Sequence, residues 1–276
     1  MLKKIGTICT MLMLVTILVA VGCKHSGGGG NSAKPDEGTK PAYASKSDEG
    51  TITGKISFDG AAPELKKIDM SQDAYCAGSS GDKTADDLLV ADGKLANVFV
   101  YIKGGPVDKF SFPTPSDPVV LDQQGCRYHP RVFGIQVNQP FKVTNSDTTT
   151  HNIHPSPKTN PEWNKMQAQG APAIEEKFHR PETLIPVKCN QHPWMKASIG
   201  VLAHPYFAVS AKDGTYTIKN VPPGTYTLVF WHETKGEQSQ QITIAAKESK
   251  TQDVTYKAAA TAGATSMQIA PTLLLP

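Results

Sequence analysis

The chain has 276 residues, with 28 Lys and Arg against 25 Asp and Glu, a formal net charge of +3 and 39% hydrophobic residues. A near-neutral chain without a basic cluster gives no reason to expect a nucleic-acid partner. Its length suits one large or two small domains once the low-complexity ends are set aside.

At the start, Lys3 and Lys4 precede the apolar run IGTICTMLMLVTILVAVG, the layout of an export signal. The run stops at Cys23 after Ala20-Val21-Gly22. Small residues before a cysteine resemble a bacterial lipobox, although Ala20 stands where leucine is more usual. The resemblance implies a signal peptide over 1–22 and lipid acylation of Cys23. An uncleaved membrane anchor is the alternative, since the run approaches spanning length. Either way the rest of the chain is expected outside the cytoplasm, tethered to a bacterial membrane in the periplasm or at the cell surface. Losing Lys3 and Lys4 would lower the net charge from +3 to +1, with the acylated amine counted as neutral. Lys24 after the acylated cysteine is not an Asp retention signal, which points to the outer membrane of a two-membrane host.

Residues 23–49 are rich in Gly, Ser, Pro and Lys and read as a flexible tether, because they lack the apolar surface needed to order themselves. Residues 258–276 are also low in complexity and are expected to be loose. Of the five cysteines, Cys9 leaves with the signal and Cys23 takes lipid, so Cys76, Cys126 and Cys189 remain. In an oxidising compartment thiols pair. Cys76 and Cys126 lack ligand-like neighbours at regular spacing, His129 apart, and are expected to form a disulfide. Cys189 is then the odd thiol, and it is the one flanked by His192 and Met195.

Between 50 and 257, short β-rich runs alternate with turn residues at roughly ten-residue spacing, the pattern of antiparallel sandwiches. Examples are TITGKISF, ANVFVYIKG, VFGIQV, FKVTNSD, LIPVKC, SIGVLA and GTYTLVFW. In the last, Tyr226, Leu228 and Phe230 alternate with Thr225, Thr227 and Val229, which predicts one buried face. AKDGTY and VPPGTY supply tight turns.

DGTYTIKNVPPGTYTLVFWH resembles the carboxypeptidase-regulatory, or transthyretin-like, β-sandwich. That family opens with a Gly-x-(Val/Ile)-x-Gly-x-(Val/Ile) strand, and here the element lies far upstream in GTITGKISFDGAAP. The expected order is therefore nested. Residues 50–105 form the first part of this sandwich, 106–204 a second domain inserted into it, and 205–257 the remainder. A tandem order, with 50–105 belonging to the second domain, is the alternative.

The inserted region carries the chemistry. VTNSDTTTHNIHPS runs a strand into His151, followed by Asn152, and VKCNQHPWMKAS spaces Cys189, His192 and Met195 three residues apart. At these residues the chain resembles a cupredoxin, a small Greek-key blue-copper domain, and most of all the amicyanin type, with its H-N-x-H and short C-x2-H-P-aromatic-M elements. The likeness runs over about residues 117–203 and implies one type 1 copper. His151, Cys189 and His192 would bind in a plane with Met195 as weak axial ligand. The Asn152 N–H would hydrogen-bond the Cys189 sulfur and tune the potential. His192, Pro193 and Trp194 would be the exposed edge through which electrons leave.

Two imidazoles, a thiolate and a thioether suit copper on chemical grounds alone, and a His2Cys plane with a long axial Met is an electron-transfer arrangement. His154 and Met166 are the second choices for histidine and axial ligand. His129, His179, His204 and His232 read as ordinary histidines. No C-x-x-C-H motif suggests haem, and the lone loop cysteine argues against a dinuclear copper centre.

The expected function is single-electron transport between extracytoplasmic redox proteins, such as a cytochrome c, a dehydrogenase or an oxidase, without enzyme activity. A periplasmic copper carrier and a redox-inactive surface-binding lipoprotein are the alternatives.

Overall fold

The computed structural model describes residues 40–79 and 83–258. The signal segment 1–22, Cys23, the tether up to residue 39 and all but the first residue of the tail lie outside them. Among the described residues no helix is long and apolar enough to cross a membrane. The fold is all-β, as the spacing predicts, and among the described residues it has two large cores and a smaller buried cluster between them.

The chain begins in an outer sandwich with β1 (Gly50–Asp59), β2 (Val90–Ala91), β3 (Lys94–Leu95) and β4 (Phe99–Lys103). Between β1 and β2 lies the short helix α1 (Ala74–Gly78). An inner sandwich follows: β5 (Val119–Gln124), β6 (Arg127–His129), β7 (Val132–Gln136), β8 (Phe141–Asn145), β9 (His151–Pro155), β10 (Lys165–Gln167), β11 (Ile174–Glu176), β12 (Glu182–Lys188) and β13 (Lys196–Leu202). The chain then returns to the outer sandwich with β14 (Phe207–Val209), β15 (Thr215–Val221), β16 (Gly224–His232), β17 (Gly236–Ile244), β18 (Ser249–Thr251) and β19 (Val254–Lys257).

The ladders close the outer sandwich across the insertion. β1 pairs with β15, β18 and β19, while β4 lies between β14 and β16. The Val-Pro-Pro-Gly turn therefore does not make a hairpin: β15 joins β1 in one sheet and β16 joins β4 and β17 in the other. The inner sandwich sets the sheet β10-β9-β12-β13-β7 against β11-β8-β5-β6.

The alternation in GTYTLVFWH accounts for only part of what β16 does. Tyr226, Leu228 and Phe230 enter the outer core, but Val229 is buried too, in a third cluster with Phe99, Tyr101, Val132 and Leu202. Its second face is covered because the inner sandwich packs there. β4 behaves the same way, with Val100 and Ile102 turned to one core and Phe99 and Tyr101 to the other.

Two glycines seat this contact. Gly134 on β7 and Gly200 on β13 are register partners, and the stacked rings of Phe99 and Phe207 lie over them with centroids 5.8 Å apart. A Cβ at Gly134 would come within 2.2 Å of the Phe207 ring, and one at Gly200 within 2.3 Å of Phe99. Arg131, just before β7, adds a polar tie by donating to Glu233 at 2.7 Å and to Asp86.

One stretch departs from the expected boundaries. Met70, Tyr75 and Cys76 belong to the inner core although their neighbours on both sides form the outer sandwich. No β pattern marks this segment in the sequence. The disulfide between Cys76 and Cys126, expected from the cysteine count, fastens it beside β6.

Candidate metal centre

The site is built at one end of the inner sandwich. β8 stops at Asn145, whose side chain donates to Thr149 O at 2.9 Å and accepts from Asp147 N at 3.1 Å. Those bonds hold the Ser-Asp-Thr-Thr-Thr turn that delivers His151 to the first position of β9, where the ring is fully buried. β12 runs antiparallel to β9 and ends one residue before Cys189. The loop from Cys189 closes on itself, with Met195 N donating to His192 O at 2.9 Å and Cys189 N to Met195 O at 3.2 Å. β13 then carries the chain away.

His151, Cys189 and His192 come together here, with ligand atoms within 4.8 Å of one another and all three residues buried. Both imidazoles turn the same atom inward. His151 Nδ1 lies 2.9 Å from His192 Nδ1, and His192 Nδ1 lies 3.7 Å from Cys189 Sγ. Burial pushes the Cys189 thiol up, but the two imidazoles and the Asn152 N–H outweigh it and pull the thiol down to about 6. Among the described residues Cys189 is the free cysteine, and it would be largely thiolate at neutral pH. Burial pulls His192 down, yet Cys189 and Asp73 outweigh it and raise the ring above its ordinary value.

Asn152 braces the sulfur. Its N–H lies 3.5 Å from Sγ, and its side-chain oxygen, 3.2 Å from Sγ, accepts from Asn190 N at 2.6 Å. Met195 is fully buried in the core beneath the loop. His154 points elsewhere, with Nδ1 at 3.1 Å from Asn190 Oδ1 and Nε2 at 2.6 Å from Glu162. Met166, opposite Asn152 in the β9–β10 ladder, is 69% exposed, whereas the trio is buried.

The expected exit edge needs correction. His192 is only 3% exposed, because Asp73 covers its outer nitrogen and the Trp194 ring lies beside it at 5.2 Å. Trp194 is itself half-buried and donates to Cys126 O at 3.1 Å. Of the three residues, Pro193 alone is fully on the surface.

Two carboxylates at the site escaped the sequence reading. Asp147 Oδ2 lies 2.8 Å from His151 Nε2, and Asp73 Oδ2 lies 3.2 Å from His192 Nε2. Burial pushes the Asp147 carboxyl up, but bonds from Cys126 N, His151, Gly125 N and Tyr75 hold it below its usual range. The Asp73 carboxyl is held low chiefly by the Cys76 N–H, with His192 and Thr149 adding to it. Asp147 stands four residues before His151, a spacing that could have drawn notice, whereas only the fold brings Asp73 to His192.

The carboxypeptidase regulatory-like domain family matches residues 190–257, a span that takes in β14–β19 of the outer sandwich together with β13 and the ligand loop after Cys189. No curated protein matches the chain. Among solved structures, an amicyanin from Paracoccus versutus is 20% identical over 32% of this chain and 84% of its own, with a TM-score of 0.28. A purple cupredoxin from Nitrosopumilus maritimus is 19% identical over 30% of this chain and 98% of its own, at 0.26. A copper-containing nitrite reductase from Thermus scotoductus is 18% identical over 36% of this chain, at 0.28, and the match spans 27% of the reductase. Likeness this slight carries no functional weight, so function has to be argued from the residues of the site.

Proposed function

We propose that the protein is a membrane-tethered blue-copper protein that passes single electrons between extracytoplasmic redox partners. The observation that carries this reading is the buried convergence of His151 Nδ1, His192 Nδ1 and a Cys189 sulfur poised as thiolate. The donor set fits copper. Imidazole and thiolate alone would also serve zinc, but a buried methionine at the end of the same loop favours a softer ion. His151, Cys189 and His192 would hold the metal, with Met195 as the fourth, weak ligand, and copper would supply a reversible one-electron couple.

The residues around the ligands suit that task. The loop is pinned at both ends by its own backbone hydrogen bonds, so the donors have little freedom to rearrange as charge comes and goes. Cys189 and Met195 belong to the same buried apolar cluster as Tyr128, Phe133, Ile153 and Ile199, so both sulfur donors sit in the inner core. With every donor buried, no side chain offers a substrate an open place, which favours a carrier of electrons over an enzyme. A redox partner would approach over Pro193 and the exposed edge of Trp194, in the weak, transient contact usual for such pairs. The lipid anchor at Cys23 would keep the domain at the membrane.

The test is a visible absorption spectrum of the purified protein loaded with Cu(II), beside Cys189→Ser. An intense thiolate-to-copper band, lost in the variant, is expected, with reversible reduction at a fixed potential. A colourless wild type would overturn the reading, and copper that exchanges freely without a fixed potential would favour a copper carrier.

A further inference from the structure

We infer that Asp73 and Asp147 are positioning residues for the two histidines, each holding one ring by a proton on Nε2, which leaves Nδ1 as the atom turned inward to a metal. This rests on the copper reading above. The case comes from who donates to each carboxylate. Asp147 Oδ1 accepts from Gly125 N at 2.7 Å and Tyr75 Oη at 2.9 Å, and Oδ2 accepts from Cys126 N at 2.8 Å. With backbone donors on both oxygens, Asp147 meets His151 Nε2 only as an acceptor, so that nitrogen carries the proton. Asp73 follows the same logic. Its Oδ1 accepts from Cys76 N at 2.9 Å, and Oδ2 accepts from Thr149 Oγ1 at 3.1 Å and faces His192 Nε2.

The outer nitrogens thus choose the tautomer for the inner ones. The two half-cystines anchor the pair, since Cys76 N holds Asp73 and Cys126 N holds Asp147. One covalent crosslink therefore sets both carboxylates, and through them both rings. A negative charge behind each imidazole would also make it a stronger donor and favour the more positive state of a bound metal.

Asp73→Asn is the informative variant. Asn serves as well as Asp at a helix N-terminus, so its oxygen stays on Cys76 N and its amide N–H₂ turns to His192. A donor there selects the other tautomer, with Nε2 bare and the proton on Nδ1, where it competes with a metal. Asp73→Ala removes the carboxylate without supplying a donor, so Nε2 can keep its proton by bonding water. A merely structural Asp73 predicts the reverse order, because Ala also loses the cap.

The measurement is ¹⁵N NMR of the histidine rings in the metal-free protein, followed by Cu(I) affinity and reduction potential. Nε2 of both rings is expected to be protonated in the wild type. His192 Nε2 should lose its proton in Asp73→Asn and keep it in Asp73→Ala. Cu(I) affinity should fall by about 10–100-fold in Asp73→Asn, and the potential should rise in both variants. A His192 Nε2 that stays protonated in Asp73→Asn, or that is bare in the wild type, would overturn the inference. A wild type that shows these tautomers yet forms no blue copper site would overturn the proposed function and leave the positioning role standing.

Discussion

The two sandwiches bury histidines in opposite ways. In the outer one, His204 and His232 are each enclosed without a hydrogen-bonded carboxylate, and each ring accepts one backbone N–H at Nδ1, from Tyr206 at 3.3 Å and Thr234 at 3.2 Å. Burial pulls both down to about 4. In the inner one, His151 and His192 each meet a carboxylate on the outer nitrogen and face one another on the inner. A buried ring kept neutral, with no carboxylate hydrogen-bonded to it, is a packing element. A ring with an acid behind it and a thiolate before it is poised to bind a cation.

The comparison can be broken from either side. Removing the crosslink as Cys76→Ser with Cys126→Ser should cost about 4 kcal/mol of stability, given a closed loop of 50 residues. It should also disturb the copper spectrum, because both carboxylates hang from the two half-cystines. Phe230→Ala in the outer core should cost a similar amount, about 3–5 kcal/mol, yet leave the blue band where it was. Urea titrations with matched spectra check both. A Phe230→Ala protein with an altered band would mean that the two cores do not act separately.

Acid should have an effect of comparable size. His204 and His232 have folded values near 4, below the ordinary 6.5, so between those values the unfolded chain binds more protons than the folded one. The stability they confer is complete above pH 6.5 and drains away as pH falls towards 4, by up to about 3 kcal/mol for each ring. Unfolding midpoints measured across that range should show the loss, and His204→Gln with His232→Gln should flatten it. The smallest effect is expected at the seam. Gly134→Ala or Gly200→Ala would push a methyl into an aromatic ring and should cost about 1–3 kcal/mol, seen as a lower thermal midpoint with an unchanged copper band.

Much of this is legible in the sequence because it rests on local chemistry. Asp213-Gly214 and Pro223-Gly224 mark turns, alternation marks β16, and the spacing of Cys189, His192 and Met195 marks a loop whose donors can share one centre. What stays hidden depends on distance in the chain. Nothing near Asp73 announces His192, since the two meet only in the fold, where the Cys76–Cys126 bond fastens α1 beside β6. The buried second faces of β4 and β16 were equally silent, because apolar residues on both sides of a strand do not say what covers them.

The insertion has a consequence for how the chain reaches its native state. β1 emerges among the first strands and has β3 nearby, but its other partners lie near the far end, as with Thr53 and Thr251, 198 positions apart. Such a pairing is slow to form in an open chain, because a long loop must close before any contact rewards it. The inner sandwich shortens that search. β4 and β14, which flank it in sequence, are hydrogen-bonded neighbours, so once the insert folds it returns the chain close to where it left. A folded inner sandwich would thus bring the two halves of the outer one within reach of each other.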